Sequence, residues 1–250
     1  MGENISVIIQ ARLGSTRMPK KVLLPFYGQS TILDLIIDKI KCIQIPLVVA
    51  TTTNPQDNLI EEFCRDRQVD CFRGSEADVL SRFIECAKAI QATGVIRICS
   101  DNPFLDEESL SDLVRRASEE TCDYMSYDVA GTPSIKTHFG FWSEFVTLSA
   151  MESVARLTQE KLYHEHVTNY IYTHPEHFSI QWIPVPQEIA VRKDIRLTID
   201  TEVDFQNASR LYAAMKEEGK RMNAESVLIY LDEHPEYKAT MIREISKNSK

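Results

Sequence analysis

Four cations stand close together in VIIQARLGSTRMPKKVLL, residues 7–24: Arg12, Arg17, Lys20 and Lys21, around a short loop that carries Ala11, Gly14 and Ser15. The apolar run before the loop ends in Gln10, so the bases follow directly on a buried-strand pattern. A strand that stops at a glycine-containing loop with fixed positive charge presents backbone N–H groups and cations to phosphate oxygens. The rest of the chain sharpens the contrast. Its formal net charge is -9, yet no Asp or Glu occurs between Asn4 and Leu33. An acidic chain that clears one loop of acid and gathers bases there is suited to meet an anion. The plainer alternative is a turn glycine among solvated bases, but the density of Arg and Lys beside a hydrophobic strand favours the anion. Neither GxGxxG nor GxxxxGK[ST] occurs, which removes the main support for dinucleotide binding and for P-loop hydrolysis. The segment reads as a triphosphate loop, with Arg17 and Lys21 the first catalytic candidates and Arg12 next.

Two carboxylates complement it. Asp101 in RICSDNPFLD and Asp200 in RLTIDTEVDF each follow an apolar run that reads as a strand. An acid at such a strand end, facing a basic loop, can hold Mg²⁺, which takes one or two carboxylates together with phosphate oxygens. Each has a structural alternative: an Asx turn before Pro103 for Asp101, and a place near a helix start capped by Thr201 and Asp204 for Asp200. Arg73 and Arg82 in FRGSEADVLSRF flank another helix start, where Ser75 and Asp78 are capping residues. His164 and His166 lie two apart, which on a helix gives a poor metal pair. No Cys/His or Ser/His arrangement argues for a covalent nucleophile.

The elements that must position these residues follow from the pattern. Thr31 with Asp34 opens a helix to Lys41, Leu47–Thr51 is a buried strand, and Asn54-Pro55 starts a helix with Leu59, Ile60 and Phe63 inward. A strand at Val69–Phe72, a helix opened at Ser75 to Asp78, and a strand at Val95–Cys99 complete three strand-helix units. That alternation predicts an α/β fold of three layers around a mostly parallel sheet. Ligands in such sheets bind beyond the carboxyl ends of the strands, where the basic loop and Asp101 both fall. Asp106 caps a helix to about Glu119, and residues 123–146 read as an antiparallel extension. Further helices are expected from a capping box at Ser149–Glu152 to Leu157, over 159–173, 202–217, 223–233 and 236–246, with strands at 178–185 and 195–198. The whole chain, 1–250, reads as one domain, with 121–186 expected to project as a lobe.

Composition narrows the class. With 43% hydrophobic residues over 250, the chain can bury a full core. No stretch approaches the ~20 apolar residues of a membrane span. MGENISVIIQ lacks a basic region before its apolar run and does not read as a secretory signal. Six cysteines without metal-finger spacing read as reduced core residues, so a cytoplasmic location is expected. Excess acid argues against a nucleic-acid partner.

The basic segment resembles the RxGSxRxPxKxL signature of the cytidylyltransferase family that activates sialic acid and 3-deoxy-manno-octulosonate, and most of all its spore-coat polysaccharide branch. Arg12, Gly14, Ser15, Arg17, Pro19, Lys21 and Leu23 match, and Lys20 stands where glycine is frequent. CSDNP resembles the family's TGDCP at Asp101 and Pro103, and IDTEVDF its VDTPEDF at Asp200 and Thr201. FRGSEADVLSRF and EHVTNYIY resemble two more windows. The resemblance implies that Asp101 and Asp200 hold Mg²⁺, that Arg73 and Arg82 face the nucleotide or acceptor, that a homodimer forms, and that CMP passes from CTP to a small sugar-type acceptor. A glycosyltransferase consuming a nucleotide sugar is the competing enzyme reading, though no two aspartates here make a DxD motif. A nucleotide-binding protein without turnover is the third.

Overall fold

The computed structural model describes residues 4–247; the first three residues of the amino-terminal segment read above lie outside them. Chain order is β1 (Ile5–Gln10), β2 (Pro25–Tyr27), β3 (Ser30–Thr31), α1 (Ile32–Ile43), β4 (Leu47–Thr52), α2 (Asn58–Asp66), β5 (Asp70–Gly74), α3 (Val79–Ala89), β6 (Gly94–Cys99) and α4 (Glu107–Glu119). There follow β7 (Tyr124–Val129), β8 (Thr132–Pro133), β9 (Glu144–Thr147), α5 (Leu148–Leu157), α6 (Lys161–Glu165), α7 (Asn169–Thr173), β10 (Ile180–Pro184), α8 (Gln187–Ala190), α9 (Glu202–Glu217), α10 (Ala224–Glu233) and α11 (Pro235–Lys247).

One sheet runs β10-β7-β9-β6-β1-β4-β5, with β8 paired to β7. The strands β5, β4, β1 and β6 are parallel neighbours, as expected for buried Val/Ile-rich runs with helical crossovers. The antiparallel extension enters through β9, which pairs with both β6 and β7. Apolar cores fill both faces. One gathers side chains of α1, α4, α9 and α10 over Val7, Ile9 and Ile96; the other gathers α3, α5 and α7 over Ile8, Val48 and Val95. Among the described residues no helix is long and apolar enough to cross a membrane.

The caps expected at Thr31, Asp106 and Thr201 are present, each side chain accepting a hydrogen bond from a backbone N–H of the first turn, and Asn223 caps α10 in the same way. Four elements differ from expectation. Residues 195–198 alternate but join no sheet: Leu197 and Thr198 donate their N–H groups to the carbonyl of His138, and Ile199 to that of Asp101. The helix expected over 159–173 is two short ones, interrupted at 166–168, where Thr168 turns its hydroxyl to buried Glu144 at 2.9 Å. The cap of α5 is Thr147 rather than Ser149, because β9 runs straight into the helix. Asn54 caps a 3-10 turn over Pro55–Asp57, and α2 begins only at Asn58.

Candidate active site

The basic loop is shaped by its backbone. Ala11 donates to the carbonyl of Ala50, and Leu13 donates to Oδ1 of Asp57 at 2.8 Å. Asp57 is fully buried and also accepts the Thr52 hydroxyl, so an acid on the next crossover fixes the loop's exit from β1. Lys20 then donates back to Leu13 at 3.0 Å, closing the loop. Lys20 sits at φ 60°, a left-handed conformation that glycine adopts more easily. Leu13, Met18 and Val22 are buried as plugs while Arg12 and Arg17 face solvent.

Lys21 leaves the loop toward the strand ends. Its Nζ lies 3.6 Å from Oδ2 of Asp101 and donates to the carbonyl of Ile199. Arg17 reaches Oδ1 of Asp200 at 2.9 Å. The N–H of Ile199 donates to the carbonyl of Asp101 at 2.9 Å, which stitches the two acid-bearing segments together. Arg17, Lys21, Asp101 and Asp200 therefore converge, although 183 positions separate Arg17 from Asp200.

Asp101 and Asp200 open on a cavity of about 450 Å³, and among the described residues they are its only carboxylate lining. Lys136, His166, Thr168, Tyr172, Arg97 and Trp142 also line it. Two carboxylates on stitched segments, facing phosphate-seeking cations, fit Mg²⁺ with phosphate oxygens completing its shell. Among the described residues no group of three or more His, Cys, Asp or Glu forms a metal cluster, so the remaining ligands must come from substrate or water.

Arg73 and Arg82 lie on the other side of the loop. Arg73 is spent on local structure: it donates to the carbonyls of Thr52 and Asn54 at 3.0 and 2.9 Å and to Asn58 at 2.7 Å, and pairs with Glu61 at 3.0 Å. Arg82 is fully buried and donates to the Ser75 carbonyl at 2.6 Å. Its Nε and Nη2 have no hydrogen-bond partner among the described residues, and burial, with Arg12 nearby, pushes its pKa down to about 10. Gly14 faces this region closely, since a Cβ there would meet Gln56 Nε2 at 2.7 Å.

Sequence reasoning missed Arg196. Arg196 is fully buried and donates to Asp200, Asp204 and His138. The one signal was an arginine inside an apolar run, four residues before Asp200.

A family profile described as cytidylyltransferase matches residues 6–233. The spore coat polysaccharide biosynthesis protein SpsF of Bacillus subtilis is 32% identical over 242 residues, covering 93% of this chain and 96% of that protein. A cytidylyltransferase structure from Leptospira borgpetersenii superposes with a TM-score of 0.80 at 26% identity, over 94% of this chain and 96% of that one. A CMP-2-keto-3-deoxy-manno-octonic acid synthetase solved with CTP shares the fold, at a TM-score of 0.62 and 12% identity over 84% and 98% of the two chains.

Proposed function

This chain belongs to the cytidylyltransferase family, and from that premise we propose that it transfers CMP from CTP to a hydroxyl of a sugar acid or related acceptor, releasing pyrophosphate. The observation that carries the reading is the convergence of Arg17 and Lys21 on Asp101 and Asp200 at the mouth of the cavity. The acceptor oxygen forms the new bond to the α-phosphorus, the bond from that phosphorus to the bridging oxygen breaks, and the hydroxyl proton is released to water. Arg12, Arg17 and Lys21 neutralise charge gathering on the departing pyrophosphate, which is worth several kcal/mol for a well-placed donor. Asp101 and Asp200 would hold Mg²⁺. Its chemistry when bound is to neutralise phosphate oxygens and acidify the acceptor hydroxyl. Lys136 gives the cavity lining a cation suited to an acid group on the acceptor. Kinship with SpsF supports a role in surface polysaccharide synthesis, and the same reading includes a homodimer in the cytoplasm.

The test is a thermal-shift screen against CTP, UTP, GTP and ATP, each with and without Mg²⁺. Ligand at a hundred times its dissociation constant stabilises by about 2.7 kcal/mol. A shift with CTP and Mg²⁺ that Asp101→Ala abolishes supports the reading, and pyrophosphate release then ranks acceptors. A shift with a nucleotide diphosphate sugar and with no triphosphate overturns it.

A further inference from the structure

Arg196 distributes its donors in a way that neutralising Asp204 does not require. Its Nε and Nη2 grip the two oxygens of Asp204 at 2.7 and 2.8 Å. The second hydrogen on Nη2 goes to Oδ2 of Asp200 at 3.0 Å, and Nη1 goes to Nδ1 of His138 at 2.8 Å. A guanidinium has no acceptor, so His138 Nδ1 must accept. Asp204 meanwhile receives the backbone N–H groups of Asp200 and Thr201 at 3.1 and 2.9 Å. The Arg196–Asp204 pair thus fixes both the backbone and the carboxylate of Asp200. Arg17 holds the other carboxylate oxygen, but its side chain is 52% exposed, whereas that of Arg196 is 0% exposed.

The His138 end reaches a different part of the site. Its carbonyl accepts from Leu197 and Thr198. Its neighbours Lys136, Thr137 and Gly140 line the cavity wall. One buried guanidinium therefore joins the carboxylate at the phosphate side to the segment that forms the acceptor side.

We propose that Arg196 is a positioning residue for the transfer: it aims Asp200, and His138 sets the angle of its fork, so that acceptor wall and carboxylate keep one alignment. The inference rests on the reading that Asp200 serves the transfer. If the network were merely structural, loosening the His138 end would lower stability and leave Asp200 aimed as before.

The test uses the full chain with His138→Leu, which removes the acceptor, and His138→Gln, whose Oε1 can take the same bond; Arg196→Lys is a harsher companion. Four quantities are read: melting midpoint, Mn²⁺ affinity in the presence of CTP, and kcat and KM by pyrophosphate release. Supporting residues around a metal carboxylate are worth about tenfold in affinity or turnover. The expected result is that His138→Leu weakens Mn²⁺ binding and lowers kcat by about that factor, with KM for CTP unchanged, while His138→Gln recovers most of both. Equal Mn²⁺ affinity in wild type and His138→Leu, or equal loss in Leu and Gln variants, overturns the proposal. A wild type that releases no pyrophosphate with any acceptor overturns the functional reading instead, and the Mn²⁺ titration still decides the role of Arg196.

Discussion

Arg97 and Glu144 form an ion pair of 2.6 Å in the middle of the sheet, with 7% and 1% of their side chains exposed. They face each other in register across β6 and β9, where the parallel part of the sheet meets the antiparallel part. Glu144 also accepts from the Tyr124 hydroxyl at 2.5 Å and the Thr168 hydroxyl at 2.9 Å, while Arg97 donates to Gln10 at 3.0 Å. The network joins the end of β1, the seam of the sheet and the break between α6 and α7. Burial, and then Glu144, push the Tyr124 hydroxyl well above its ordinary pKa, so it stays a donor. Removing one partner of a buried pair leaves an uncompensated charge and costs about 3–5 kcal/mol. Urea unfolding of Glu144→Leu should show a loss of that order. Combining it with Arg97→Met should recover much of the loss, because a well-packed apolar pair can replace a buried ionic one.

His164 is held at both nitrogens, Nδ1 at 2.8 Å from Asp78 Oδ2 and Nε2 at 3.0 Å from the Thr158 carbonyl. Both partners are acceptors, so both nitrogens donate when the ring is protonated. Burial opposes that charge, but the Thr158 carbonyl and Asp78 carboxylate outweigh it and raise the pKa above the ordinary 6.5. A raised folded-state value gives stability that is complete below the unfolded pKa and disappears as pH climbs through the folded one. The melting gap between wild type and His164→Leu should be widest below the ordinary imidazole pKa of 6.5 and narrow as pH rises above it. A gap of constant width would remove the imidazolium from the contact between α6 and the start of α3.

How much of this was legible depended on whether the signal was local. Thr31, Asp106 and Thr201 announced their helices because capping is settled within four residues. The convergence of Lys21 on Asp101 was foreseeable from strand ends, since a parallel sheet gathers those ends at one edge. Residues 195–198 misled because a fully buried extended run marks any chain laid on a core, and only distant carbonyls decide whether it joins a ladder. Lys39 shows the same limit. It falls on the buried face of α1 and caps the carbonyls of Pro103 and Leu105 at 3.4 and 2.6 Å, with its pKa pushed down to about 8 by burial. Nothing within α1 could have named those partners. The grip of Arg196 on His138, 58 positions away, was hidden for the same reason.

Arg17 separates activity from stability. Its pair with Asp200 is made by a half-exposed side chain, and exposed pairs contribute at most about 1 kcal/mol. A cation aimed at developing phosphate charge is worth far more to the transition state. Arg17→Ala should lower kcat about a hundredfold and leave the melting midpoint nearly unchanged. Pyrophosphate release beside a melting curve checks both; a fall in stability without loss of turnover would return Arg17 to a structural role.

Gly140 tests the cavity from its wall. It has φ +69°, and a Cβ there would stand 3.3 Å from Asn102 Oδ1 and 3.4 Å from the Leu197 carbonyl carbon and oxygen. The left-handed conformation alone costs a non-glycine residue about 1–2 kcal/mol. The contacts add to it, because Leu197 is tied through its N–H to His138 and cannot retreat without loosening the Arg196 network. Gly140→Ala should therefore destabilise by at least that amount, and its effect on turnover should exceed its effect on CTP affinity, since the loop cations lie beyond the shifted wall. Equal losses in CTP binding and turnover would mean that the change spreads through the sheet instead of staying at the cavity wall around Gly140.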